Sequence, residues 1–68
     1  MGKLDAAAIG QRLRDLRGDR TLQAVAADLG IGISTLCMYE TGERIPRDEI
    51  KAALAGLYGK TVQEIFFD

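Results

Sequence analysis

The chain contains no histidine, no tryptophan, one cysteine and one proline, and each scarcity removes a class of function. Cys37 has no partner for an internal disulfide, and without histidine it lacks the companions that ordinary zinc spacings require. The same gaps remove imidazole acid–base catalysis and Cys–His nucleophile pairs, and no carboxylates cluster on a shared face. No catalytic residue, metal or cofactor is therefore expected, and the chain does not read as an enzyme. Long apolar runs are missing too. Nothing approaches the ~18 consecutive apolar residues of a membrane span, and the opening MGKLDAAAIG lacks a signal-peptide core. A cytoplasmic protein with no membrane contact is the expectation. Positive charge is also absent from one stretch: Thr21 to Glu43 holds no Lys or Arg. The nine basic residues lie elsewhere, against ten acidic ones, for a net charge of −1.

What is present fits one small helical domain, residues 1–68, near the lower size limit for folding without staples. The organising stretch is TLQAVAADLGIGISTLCMYET, from Thr21 to Thr41. Leu22, Val25, Ala26 and Leu29 recur at i, i+3, i+4 and i+7, which lines one face of a helix. Thr21 suits the cap before that helix and Gly30 its end. Only Gly30, Ile31 and Gly32 separate it from a second helical segment, Ile33 to Glu40, so the connection is a tight turn. In this second segment Leu36 and Tyr39 face inward, while Ile33, Ser34, Cys37, Met38 and Thr41 face away. Gly42 closes it, and small Ala26 allows the two helices to cross closely.

Other helices flank the pair. Asp5 caps a first helix whose buried stripe is Ile9, Leu13 and Leu16, with Arg12 and Arg14 in solvent, and Gly18 and Asp19 turn the chain out of it. Met1 to Leu4 should fray. Pro46 suits the first turn of a fourth helix, with Asp48 and Glu49 favouring the same end of its dipole. Ile50, Ala53, Leu54 and Leu57 form its inward stripe, and Gly59 breaks it. Thr61 and Glu64 have the spacing of a capping box for a last helix with Val62, Ile65 and Phe66 on its apolar side.

Val25, Ala26, Leu29, Gly30, Ile31, Leu36 and Tyr39 together resemble the motif of the Xre/Cro-type helix-turn-helix regulators. IGQRLRDLR (Ile9 to Arg17), YETGERIP (Tyr39 to Pro46) and VQEIFF (Val62 to Phe67) resemble the family's first helix, its exit from the reading helix and its last helix. The resemblance implies a lambda-repressor-like fold: all-α, a compact bundle of five short helices with the helix-turn-helix at about residues 21–41. It also implies a sequence-specific regulator, a small repressor, whose second motif helix enters the major groove of double-stranded DNA as part of a homodimer in a prokaryotic cell. Carried over position by position, Ile33, Ser34, Cys37, Met38 and Thr41 face the bases. Thr21, Gln23, Arg44, Arg47 and Arg12 face phosphates, Arg17 pairs with Glu40 to tie the reading helix to the scaffold, and Phe66 and Phe67 are the dimer-contact candidates. Adjacent helical residues diverge by ~100°, so only one of these two phenylalanines can join the core.

This chain departs from the family in its reading residues. Members commonly carry Arg, Gln, Asn or Lys at several of these places, and Ile33, Cys37 and Met38 cannot form bidentate hydrogen bonds to bases. Contact with thymine methyl groups in an A·T-rich half-site, with Ser34 as the polar reader, is the expected substitute. Leu22 likewise stands where many members carry a phosphate-binding Gln. The alternative is a protein-interaction module on the same fold, with Ile33 and Met38 forming an apolar patch for a protein partner. Cys37 reads either as a thiol switch or as a small filler where Ser is common. There is no room for a separate small-molecule domain.

Overall fold

The computed structural model describes residues 5–67. Met1 to Leu4, the expected frayed start, and Asp68 lie outside them. Four α-helices follow in order: α1 (Ala6–Arg17), α2 (Leu22–Leu29), α3 (Ile33–Thr41) and α4 (Asp48–Tyr58), and a π-helical turn (Gln63–Phe67) ends the described chain. No strand occurs among the described residues.

Most helix ends are set by their immediate neighbours. The Asp5 carboxylate accepts the N–H groups of Ala7 and Ala8 at 3.1 and 3.2 Å, satisfying donors that have no partner inside the helix. The Thr21 hydroxyl accepts the Ala24 N–H at 3.0 Å. At the far end of α2 the chain turns left-handed at Gly30, and the Ile31 N–H reaches the Ala26 carbonyl at 3.0 Å, a Schellman closure. Thr61 and Glu64 form both bonds of the capping box: Thr61 N–H donates to Glu64 Oε1 at 2.9 Å, and Glu64 N–H donates to the Thr61 hydroxyl at 3.1 Å. The Thr61 backbone N–H, and after it the Thr61 hydroxyl, hold the Glu64 carboxyl below its ordinary range.

The core joins Ile9 and Leu13 of α1, Val25 and Ala26 of α2, Leu36 and Tyr39 of α3, Leu54 and Ala55 of α4, and Ile65 and Phe66 of the last turn. Leu16, Leu22, Leu29, Ile31, Ile50, Leu57 and Val62 pack against it. Every element contributes, as a chain this short requires to remove enough apolar surface from water.

Several sequence expectations need correction. α4 begins at Asp48 with Arg47 at its cap, so buried Pro46 lies ahead of the first helical turn and shapes the entry to it. The inward stripe of α4 is Lys51, Leu54 and Ala55, whereas Ala53 is exposed. At Lys51 the aliphatic stem is buried and the ammonium lies 5.7 and 5.0 Å from the ring centres of Phe66 and Phe67, so a lysine serves as a core residue. The last helix is wound as a π turn; its Ile65 and Phe66 are both buried although adjacent in sequence.

Close approach of helices occurs between α1 and α3, and two glycines permit it. A Cβ at Gly10 would collide with the Glu40 carbonyl oxygen, lying also 2.8 Å from its carbon and 2.9 Å from the Tyr39 oxygen. At Gly42, which ends α3 at φ +85°, a Cβ would stand 3.1 Å from the Ala7 Cα, and the positive φ itself disfavours any other residue. α1 thus sits directly on the backbone of the C-terminal half of α3.

Candidate nucleic-acid interface

The chain axis turns by 107° between α2 and α3, within the ~90–120° of a helix-turn-helix. Three residues make that corner. α3 therefore has one face committed to the core through Leu36 and Tyr39, and its opposite face projects from the body.

Ser34, Cys37 and Thr41 are exposed on that face. Ile33 is 47% exposed, a high value for a large aliphatic side chain. Met38 is half-buried and contributes only the edge of the face. The Thr41 hydroxyl lies 3.3 Å from both the Met38 carbonyl and a Glu43 carboxylate oxygen, so its donor is engaged within the protein. Ser34 carries the remaining hydroxyl of the five.

The basic groups missing from α3 come to its edge by the fold. Arg44 and Arg47 are exposed and line one depression together with Gly32 and Thr35 of the first turn of α3 and with Ile31, Tyr39, Glu49 and Ile50. Gln23 and Thr21 lie exposed at the start of α2, where free backbone N–H groups favour anions. Arg12 behaves otherwise than expected. It is half-buried, and its Nη1 donates to the Ile65 carbonyl at 2.8 Å. Carbonyls in a final helical turn lack partners within the helix, and this guanidinium supplies one, so Arg12 anchors the C-terminal turn.

Arg17 and Glu40 fix α3 from behind. Arg17 Nε donates to Glu40 Oε2 at 2.7 Å and Nη2 to Oε1 at 3.0 Å, the forked arrangement, while Nη1 donates to the Arg20 carbonyl at 2.8 Å. The Glu40 side chain is 2% exposed and that of Arg17 17%. The hydrogen bonds to Glu40 push the Arg17 pKa above its ordinary value. The more exposed Arg14 adds a longer contact, 3.9 Å to Oε1. Beside the pair stands Tyr58, its hydroxyl buried without a hydrogen-bond partner among the described residues. Burial, and next the negative charge of Glu40, raise its pKa, and the Arg20 guanidinium lies 5.6 Å from the ring centre.

Phe66 is 1% exposed and Phe67 50%. Phe66 therefore leaves the list of dimer-contact candidates, because it is consumed by the core of one chain. Gly10, Lys51 and Tyr58 escaped the sequence reading. A glycine inside an amphipathic helical pattern is itself a signal of close packing, and Gly10 gave that signal. Lys51 and Tyr58 gave none, since both are ordinary residues for the surface of a helix.

No single helix among the described residues is long and apolar enough to cross a membrane, and they contain no cluster of potential metal ligands. What the geometry defines is a helix-turn-helix presenting one face of its second helix. Residues 8–65 match the model of the helix-turn-helix domain family, and the chain belongs to that family, among its Xre/Cro-type regulators. It is 37% identical over 59 residues to the cryptic phage CTXphi transcriptional repressor RstR of Vibrio cholerae, an alignment covering 84% of this chain and 53% of that repressor. The chain thus spans about half the length of that relative. Among solved structures it is similar to the restriction-modification controller protein C.AhdI from Aeromonas hydrophila, with a TM-score of 0.82 at 28% identity over 91% of this chain and 97% of that one. The S. venezulae BldD DNA-binding domain aligns with a TM-score of 0.74 at 29% identity, over 91% and 96%.

Proposed function

We propose that this chain regulates transcription by binding operator DNA, with α3 in the major groove and α2 across the phosphate backbone. The observation that carries the reading is the exposure of Ile33, Ser34, Cys37 and Thr41 on a helix held rigidly by the Arg17–Glu40 fork. Pre-set geometry matters because ordering a flexible reader on binding would consume the modest energy that few base contacts supply. Arg44 and Arg47, with Thr21 and Gln23, hold phosphates and set register, while the outward residues of α3 discriminate bases. The relative named as a repressor supports repression as the sign of control, by occupancy of the operator in the cytoplasm of a prokaryotic cell.

A single small module makes few base contacts, so two copies on half-sites about 34 Å apart are the expected functional unit. Half-exposed Phe67 at the end of the chain supplies the apolar contact between them. A mobility-shift titration of genomic fragments at rising salt tests the reading. Binding through several phosphates must fall steeply and linearly on a log–log plot, with slope near −0.9 per phosphate neutralised. A flat response, or no shift at low salt, would favour the other reading that the cation-free face of α3 suggests, a docking face for a partner protein.

A further inference from the structure

The outward face of α3 carries no Arg, Lys, Asn, Gln, Asp or Glu. Bidentate recognition of guanine needs the paired donors of Arg or Lys, and of adenine the donor and acceptor of Asn or Gln. Neither kind of reader is available on this face, and the Thr41 hydroxyl is engaged by Met38 and Glu43. What remains toward the bases is the branched aliphatic Ile33, the thiol of Cys37, the methyl of Thr41 and the single hydroxyl of Ser34. Charge complementarity nevertheless points to an anionic occupant, because two cations, Arg44 and Arg47, against one carboxylate, Glu49, line the depression beside Gly32 and Thr35 at the start of this same helix. A polyanion that also presents apolar groups in a groove is duplex DNA, and the only apolar group in its major groove is the C5-methyl of thymine.

Resting on the DNA-binding reading above, we propose that α3 recognises pyrimidine C5-methyl groups as such, through Ile33 and Cys37. The consequence reaches beyond A·T preference. 5-Methylcytosine places the same methyl at the same ring position, so cytosine methylation within a half-site creates contacts that unmethylated cytosine lacks. Binding is then sensitive to the methylation state of the DNA, and uracil fails to replace thymine.

The test selects binding sites from a random duplex pool, then resynthesises the recovered half-site with deoxyuridine for each thymine in turn, and with cytosine or 5-methylcytosine at the same places. Loss of one buried methyl should weaken binding about fourfold at the one or two thymines under Ile33 and Cys37, and 5-methylcytosine should exceed cytosine there by a similar factor. Ile33→Ala, at an exposed position that leaves the fold intact by circular dichroism, should erase the thymine–deoxyuridine difference at its own base while keeping the salt dependence. Steep salt dependence with equal binding of thymine and deoxyuridine duplexes overturns the methyl reading alone. Absence of any salt-dependent binding overturns the DNA reading and this inference together, leaving the protein-partner reading.

Discussion

At Glu40 a carboxylate with 2% exposure is held by both arms of the Arg17 fork. Removing the arginine strands a buried charge, which costs more than the intact pair contributes. Arg17→Ala should therefore destabilise the domain by about 3 kcal/mol and lower the melting temperature by more than about 10 °C at this chain length; an unchanged calorimetric transition would remove the pair from its anchoring role. Tyr58, its neighbour, behaves in the opposite sense. Its folded pKa lies above the ordinary tyrosine value, so folding favours the neutral phenol. That stabilisation is complete below the unfolded pKa of 10.0 and is lost as pH rises through the folded value. Tyr58→Phe should flatten this part of the alkaline denaturation profile and cost nothing at neutral pH, since it also removes a buried hydroxyl without a protein partner. A variant that unfolds at the same alkaline pH with the same steepness would exclude Tyr58 as the titrating group.

Between elements, the contact that sets the position of the reading helix is α1 on α3. Gly10 decides it. Gly10→Ala raises helix propensity by up to ~1 kcal/mol, but the new methyl meets backbone carbonyls of Tyr39 and Glu40 that cannot step aside as a side chain would. Overpacking at ~1–3 kcal/mol or more wins, so chemical denaturation should give a net loss of stability and DNA affinity should fall with it through the displaced α3. Equal or higher stability would mean that α1 slides on α3 without cost. The helix ends were legible in the sequence because a cap acts over two to four residues: Asp5, Thr21, Gly42 and the Thr61–Glu64 pair all stand where local chemistry puts them. The inward stripe of α4 was only partly legible. Apolar spacing selected Ala53, whereas the helix rolls to bury Lys51 and Ala55, with the lysine stem against core and its ammonium over Phe66 and Phe67.

For the whole molecule, the radius of gyration of 10.8 Å and extents of 34 × 23 × 21 Å leave one short helix to reach into a groove, which is why a second copy is proposed for operator binding. Phe67, half-exposed beside buried Phe66, is where the proposed assembly can be tested apart from folding. Phe67→Lys should leave the thermal transition within a few degrees of the parent while shifting sedimentation toward monomer and weakening operator binding. Phe66→Ser should unfold the domain, since truncation of a buried aromatic costs about 3–5 kcal/mol. A Phe67→Lys protein that still sediments as a dimer would move the dimer contact to another surface.

Sequence alone determined the helical periodicities, most of the caps, the tight corner between α2 and α3, and, apart from half-buried Met38, which residues of α3 face outward, because all of these follow from neighbours within one or two helical turns. The angle between adjacent helical residues did not by itself divide Phe66 from Phe67, since adjacent Ile65 and Phe66 are both buried in the π-wound turn, and the fold decided which phenylalanine enters the core. The Arg17–Glu40 tie entered through family resemblance, not through spacing, since 23 residues separate the partners. Tertiary structure alone decided that Arg12 serves the Ile65 carbonyl 53 residues away, that the backbone of Tyr39 and Glu40 is what Gly10 meets, that Lys51 is a core residue, and that Arg44 and Arg47 line a depression beside the start of α3. Those outcomes depend on how helices roll and cross when the core closes, a many-body packing problem that no local pattern of residues encodes.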